Sequence, residues 1–287
     1  MTIERLAIRK TYKLFIGGAF PRSESGRSYV VTSVDGDFLA NAALASRKDV
    51  RDAVVAARKA FPAWAGATAY NRGQILYRVA EMLEGRRDQF IAEVAAVEAG
   101  DAVSTVDAAI DRWVWYAGWA DKLAQVAGNA NPVAGPYFNL SAPEPTGVVG
   151  VVAPPDSALL GLVGVVAPVI VSGNTAVVLA AEERPLPAVT LAEVLATSDL
   201  PGGVVNLLTG RVAETAPWLA GHQDVNALDL TGVADPHLAT TLERDAAENL
   251  KRVRRPADGP VDWYAEPGLD RMMAYLETKT VWHPKGV

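Results

Sequence analysis

Apolar and polar positions follow three successive rhythms along this chain. Near the start, Lys13-Leu14-Phe15-Ile16 runs into Gly17-Gly18, and Tyr29-Val30-Val31 follows a polar Ser/Gly segment. Both runs read as strands and predict a short hairpin at the edge of something larger. From 48 to 64 the rhythm turns helical, with Val50, Val54, Ala57 and Phe61 on one face and Arg51, Arg58 and Lys59 around it. Ile75, Val79 and Leu83 mark a second helix over 70–85, and a third covers 88–99. Asp101 to Val126 predicts one long fourth helix, whose Trp113, Tyr116 and Leu123 read as core residues.

Beyond Gly128 to Pro136, which reads as a loop, the rhythm changes again. Tyr137 to Leu140 and Thr146 to Ala153 are strand-like, and the second run is too apolar for a strand with one wet face. Helix 158–171, strand Ala176–Leu179, helix Leu186–Thr197, strand Val204–Leu208, helix 212–220 and strand Ala227–Leu230 then alternate. Such alternation predicts an α/β fold with a doubly wound parallel sheet, which binds ligands at the carboxyl ends of its strands. A helix over Leu238–Val253 is expected next, then the turn-rich linker Arg254-Arg255-Pro256-Ala257-Asp258-Gly259-Pro260. Asp270 to Leu276 reads as helix and Thr278 to Trp282 as strand, with no internal repeat anywhere.

Composition narrows the chemistry. The 287 residues carry 27 basic and 33 acidic side chains, a net charge of −6, so no basic stripe for nucleic acid is expected. The absence of cysteine excludes disulfides, thiolate metal sites and cysteine nucleophiles within this sequence. Three histidines, His222, His237 and His283, lack metal-ligand spacing, so no metal site is expected. The nearly uncharged stretch 147–179 contains Pro154, Pro155, Asp156 and Pro168, which argues against a membrane span. Glu4, Arg5, Arg9 and Lys10 leave no apolar core for a signal peptide, and a cytoplasmic location is the expectation.

Several ordered blocks carry a family resemblance. Tyr116-Ala-Gly-Trp-Ala-Asp-Lys-Leu123, Gly147-Val-Val-Gly-Val-Val-Ala-Pro154, Gly173-Asn-Thr-Ala-Val-Val-Leu179 and Leu200-Pro-Gly-Gly-Val-Val-Asn-Leu-Leu-Thr-Gly210 together resemble the NAD(P)-dependent aldehyde dehydrogenases. The resemblance implies a Rossmann-like core over 147–255, with the strands and helices of 12–135 packed upon it. It further implies a small β-arm for oligomerisation, made from 136–146 and 270–287. In that family a cysteine thiolate attacks the aldehyde, hydride passes to the nicotinamide, and an activated water releases the acid.

The departures are as informative as the matches. The nucleophile is absent. The family's oxyanion-hole asparagine is represented by Asp156, an anionic group that would repel an oxyanion or else serve to cap the following helix. The family's general-base glutamate falls on Pro256, which cannot titrate. Ala180 stands where a lysine would hold the adenosine ribose, although Glu183 matches an acidic ribose ligand. In the phosphate loop Leu230-Thr231-Gly232-Val233, Thr231 and Gly232 match, while Pro236 and His237 replace the region of a later glycine.

Residues 256–269 thus read as a linker in place of the family's catalytic domain. No catalytic residue is expected, and the cofactor-binding candidates are Glu183, Thr231 and Gly232. No cofactor is expected beyond weakly held NAD. The reading that follows is a non-catalytic subunit that stabilises or regulates a full-length aldehyde dehydrogenase, or pairs with itself, by β-strand addition through the arm. An exposed sheet edge and a bare apolar surface are expected where the catalytic domain would pack. The alternative is dehydrogenase activity, or NAD(H) binding, expressed only with a partner that supplies a catalytic domain. Nucleic acid and membrane are not expected as partners.

Overall fold

The computed structural model describes residues 10–286. Three short strands come first: β1 Thr11–Tyr12, β2 Ser28–Thr32 and β3 Phe38–Ala43. β3 lies between the others, antiparallel to β2 and parallel to β1. This corrects the expected hairpin. Tyr29–Val31 pairs with β3, whereas Phe15 exchanges backbone hydrogen bonds of 2.9 and 2.7 Å with Leu207. Burying Phe15 at the edge of the larger sheet decides where its segment lies.

Helices follow as the apolar periodicity requires. α1 Arg47–Gly66 starts in a capping box of Ser46 and Asp49 and buries Val50, Val54 and Ala57. α2 Ala69–Glu84 and α3 Arg87–Val97 match the expected second and third helices. The long fourth helix is two: α4 Ala102–Trp119 and α5 Leu123–Ala127. Ala120 bonds back to Ala117 and Lys122 to Trp119, a tightened last turn that lets the chain bend and bury Leu123. Within the expected loop lies a further short strand, β4 Asn129–Asn131, paired with β5 Tyr137–Pro145.

The alternating unit is β6 Val148–Val152, α6 Leu160–Val171, β7 Thr175–Leu179, α7 Leu186–Ala196, β8 Val205–Leu208, α8 Val212–Ala220, β9 Ala227–Asp229 and α9 Pro236–Ala246. Every residue of β6, α6 and β7 is buried, as uniformly apolar segments demand. The helix expected to reach Val253 stops at Ala246. A single 3₁₀ turn and Leu250, at φ 58°, reverse the chain into β10 Arg252–Arg254. Its Arg-Val-Arg pattern with one apolar residue gave no strand signal, because an edge strand needs little burial. The five-stranded parallel sheet has the order β10-β9-β6-β7-β8, with an apolar core on each face.

After residues 255–269 come the short helix α10 Asp270–Met273 and the strand β11 Leu276–Pro284. β11 runs antiparallel to β5 through nine pairs, from Leu276 with Pro145 to Pro284 with Tyr137. This second sheet has the order β11-β5-β4. The expected bare apolar surface is corrected here. α6 has no exposed residue, and Trp263 rests against it. The outer edges of β10 and β11 have no strand beside them among the described residues.

Candidate functional site

The carboxyl ends of β6 and β9 open into a cleft of about 850 Å³, walled by Pro155, Asp156, Thr231, Gly232, Arg255 and Trp263 among others. Parallel α/β sheets place ligands at this end. The loop after β6 carries Asp156, whose side chain is exposed and whose carbonyl accepts from Arg184 at 3.4 Å. Asp156 caps nothing, which corrects that alternative. The N-cap position of α6 is Leu159, and Ser157, two residues before it, supplies an Oγ that accepts the Gly161 N–H at 2.9 Å. Glu98 accepts the Ala158 N–H, and burial raises its carboxyl pKa.

Thr231 and Gly232 do reach this cleft, on the turn between β9 and α9. A Cβ on Gly232 would stand 2.0 Å from the Ala153 carbonyl oxygen, so only glycine permits the approach to the end of β6. The amides of Thr231, Gly232 and Val233 are already engaged. The Gly232 N–H bonds the Val152 carbonyl at 3.1 Å, Val233 bonds Leu230 at 2.9 Å, and Thr231 bonds Asp229 Oδ1 at 2.9 Å. Pro236 starts α9 behind the N-cap Asp235, which accepts the His237 N–H and so sets a carboxylate at that helix end.

Glu183 lies apart from these two. It is exposed on the loop after β7, in a separate depression of about 430 Å³ shared with Tyr29, Ser33 and Arg211. Its neighbour Glu182 carries the structural work: it pairs with Arg211 and accepts the Val212 N–H at 3.1 Å. The amino end of α8 is therefore filled by the protein's own carboxylate. Ala180 is buried and offers no charge, and Pro256 lines the cleft without a titratable group. With these three amides engaged and Ala180 beside β7, this loop and strand present no cation to a dinucleotide phosphate or ribose. Among the described residues, no group of three or more histidine, aspartate or glutamate side chains is placed to hold a metal.

The strongest polar centre of this region escaped the sequence reading. Asp229, fully buried at the end of β9, accepts Tyr275 Oη at 2.6 Å, Arg271 at 3.1 Å and both the amide and hydroxyl of Thr231. The pair is almost dry, with 12% of the Arg271 side chain exposed and none of Asp229. Burial, and then Asp229, hold the Tyr275 phenol well above its ordinary value. Burial likewise pushes the Tyr116 phenol up to about 12. The signal in the sequence was a single acid closing an apolar strand, Ala227-Leu228-Asp229, which cannot stay buried without partners.

The profile of the aldehyde dehydrogenase family matches residues 20–259. The chain belongs to that family. It is 32% identical to mouse cytosolic 10-formyltetrahydrofolate dehydrogenase over 299 aligned positions, covering 99% of this chain and 32% of that protein. It is 31% identical to cytosolic aldehyde dehydrogenase 1 of Elephantulus edwardii, covering 92% and 54%. An NAD+ complex of a Bacillus cereus aldehyde dehydrogenase superposes with a TM-score of 0.79 at 27% identity, over 85% of this chain and 50% of that one. HpcC from Thermus thermophilus gives 0.80 at 30% identity, over 85% and 47%. This aldehyde dehydrogenase family chain thus spans a third to a half of the relatives it matches, shares their α/β fold, and contains no cysteine.

Proposed function

We propose that this chain is a non-catalytic, aldehyde-dehydrogenase-like subunit that assembles with a full-length aldehyde dehydrogenase and stabilises or regulates it. The observation that carries the reading is β11, a nine-residue strand with eight exposed residues and an outer edge free of any described strand. Phe138, Leu140 and Val281 are each about half exposed on one face of the same sheet and Trp282 on the other, so a strand added at the open edge would find apolar neighbours on both sides. Isolated catalysis is disfavoured by the want of a cysteine, by Pro256 at the base position and by Asp156 at the oxyanion position. The cytosolic names of relatives support a cytoplasmic location.

Light scattering of the chain alone, with a full-length relative, and at several ratios tests the reading. A stable mixed species of defined mass is expected. A monodisperse monomer that ignores the relative would sink the proposal, and a homo-oligomer alone would turn it toward self-pairing. The cleft of about 850 Å³ favours a second reading, NAD(H) binding or dehydrogenase activity expressed only when a partner supplies the catalytic domain. Calorimetric titration of NAD into the mixed complex, and aldehyde-dependent NADH formation by it, decide that reading. No heat and no NADH would remove it.

A further inference from the structure

We propose that residues 256–269 form a fixed strap that occupies the α4–α6 face and closes it to any other polypeptide. This goes beyond the subunit reading and does not depend on it. α6 is Leu160-Gly-Leu-Val-Gly-Val-Val-Ala-Pro-Val-Ile-Val171, a helix with no polar side chain on any side. A helix that is apolar all round must be covered all round. The sheet and the helices α2, α4 and α10 cover most of it, and Trp263 of the strap covers a further part.

Three contacts that converge on Trp263 hold the strap. The first is Trp263, 7% exposed, whose indole lies on a flat made by Gly161 and Gly164, three residues apart on α6. A Cβ at Gly161 would stand 3.1 Å from Trp263 Cε2, and one at Gly164 would stand 2.9 Å from Cζ3. Helix and indole are therefore fitted to each other, and a larger residue on either glycine would force one of them to move. The second anchor is Arg112 of α4, itself buried, whose guanidinium donates to the carbonyls of Trp263 at 2.7 Å and Ala265 at 3.0 Å. These two carbonyls give the covered guanidinium the acceptors that water would otherwise supply. Tyr264 adds a hydroxyl contact of 2.8 Å to Thr105 on the same helix.

The third anchor lies at the far end. Arg271, held by Asp229, places its guanidinium 5.2 Å from the Trp263 ring centroid, so the root of β11 and the indole brace each other. Val261 and Leu269 add apolar contacts to the same core on either side of the indole. A passing loop would not engage a buried cation, a glycine flat and a buried ion pair in succession.

Hydrogen exchange read by mass spectrometry on the full chain, wild type and variants, tests the strap. In the wild type, amides of α6 and of residues 105–113 are expected to exchange only with global unfolding. Trp263→Ala is expected to speed exchange there at least about tenfold while β8 and α1 keep their protection, and Trp263→Phe to restore most of it. Gly164→Ala keeps the indole but lifts it, and the same local loosening is expected; this keeps the test alive where Trp263→Ala fails to fold. Adding a full-length relative is expected to leave exchange in α6 unchanged. Unchanged α6 exchange in both variants would overturn the proposal. So would a relative that opens or replaces the strap.

Discussion

The two main sheets of this chain are built on opposite terms. All ten residues of β6 and β7 are buried, whereas eight of the nine in β11 are exposed. The parallel sheet is held by apolar burial on both faces, at about 25 cal/mol per Å² removed from water. The β11-β5-β4 sheet has no core of that kind. It relies on its ladder and on surface pairs: Lys279 with Glu144 at 3.0 Å, Ser141 with Thr280 at 2.8 Å, and Tyr137 edge-on to Trp282 at 5.7 Å. Such cross-strand pairs contribute about 0.2–1 kcal/mol each. The first sheet has both faces covered, and the second gains most from whatever covers it.

That contrast can be broken by mutation. The largest effect is expected at the junction between the two, where Asp229→Ala strands a buried guanidinium and the Tyr275 hydroxyl. Urea unfolding should show a loss of about 3–5 kcal/mol, with Asp229→Asn less damaging. Leu162→Ala, inside the parallel core, should cost about 2–5 kcal/mol. Val281→Ala should cost under about 1 kcal/mol in the isolated chain yet weaken the mixed complex measured by light scattering. Equal losses at Leu162 and Val281 would erase the distinction between the sheets.

Smaller effects sharpen it. Arg252 bonds both oxygens of Glu277, at 2.7 and 2.6 Å, and thereby links the edge of the parallel sheet to the start of β11. The pair is exposed, so Arg252→Ala should cost about 0–1 kcal/mol. The arginine lowers the Glu277 carboxyl pKa, so its contribution holds above the ordinary carboxylate value and fades as pH falls through the lowered one. Salt should weaken it too. Smallest of all is Glu93→Gln. Burial raises the Glu93 pKa, so its charged form is a liability above that raised value. The variant should melt slightly higher at neutral pH, and the gain should vanish as pH drops below the ordinary carboxylate range.

What could be read from the sequence follows the same division. The strand and helix order from β6 to α9 was legible because uniformly apolar runs leave one structural solution, and bounds agree within a few residues up to β9, whereas α9 ends at Ala246 rather than Val253. β3, β4 and β10 were not: Asn129–Asn131 and Arg252–Arg254 are three-residue edge strands, and Phe38–Ala43 is a central strand whose Ala-Asn-Ala-Ala run carries no clear alternation. The break between α4 and α5 is a tertiary decision made by the burial of Leu123. Thr231 and Gly232 were named from the family resemblance of their loop and line the cleft, whereas Glu183, named from the same resemblance, lies in a separate depression beside Glu182. Only the position of Arg211, far away in sequence, separates those two carboxylates. Asp229, Trp263 and Arg112 were invisible for the same reason: their partners come from segments many residues apart.

The pairing of β5 with β11 also sets a schedule for biosynthesis. β4 can zip onto β5 as soon as both have left the ribosome, being only a few residues apart. The other edge of β5 must wait until Pro284 has been made. At about 5–20 residues per second this interval lasts on the order of ten seconds. Throughout it, the nascent chain presents an open nine-residue edge beside Phe138 and Leu140. A chaperone, or a strand from another chain, has that long to arrive first.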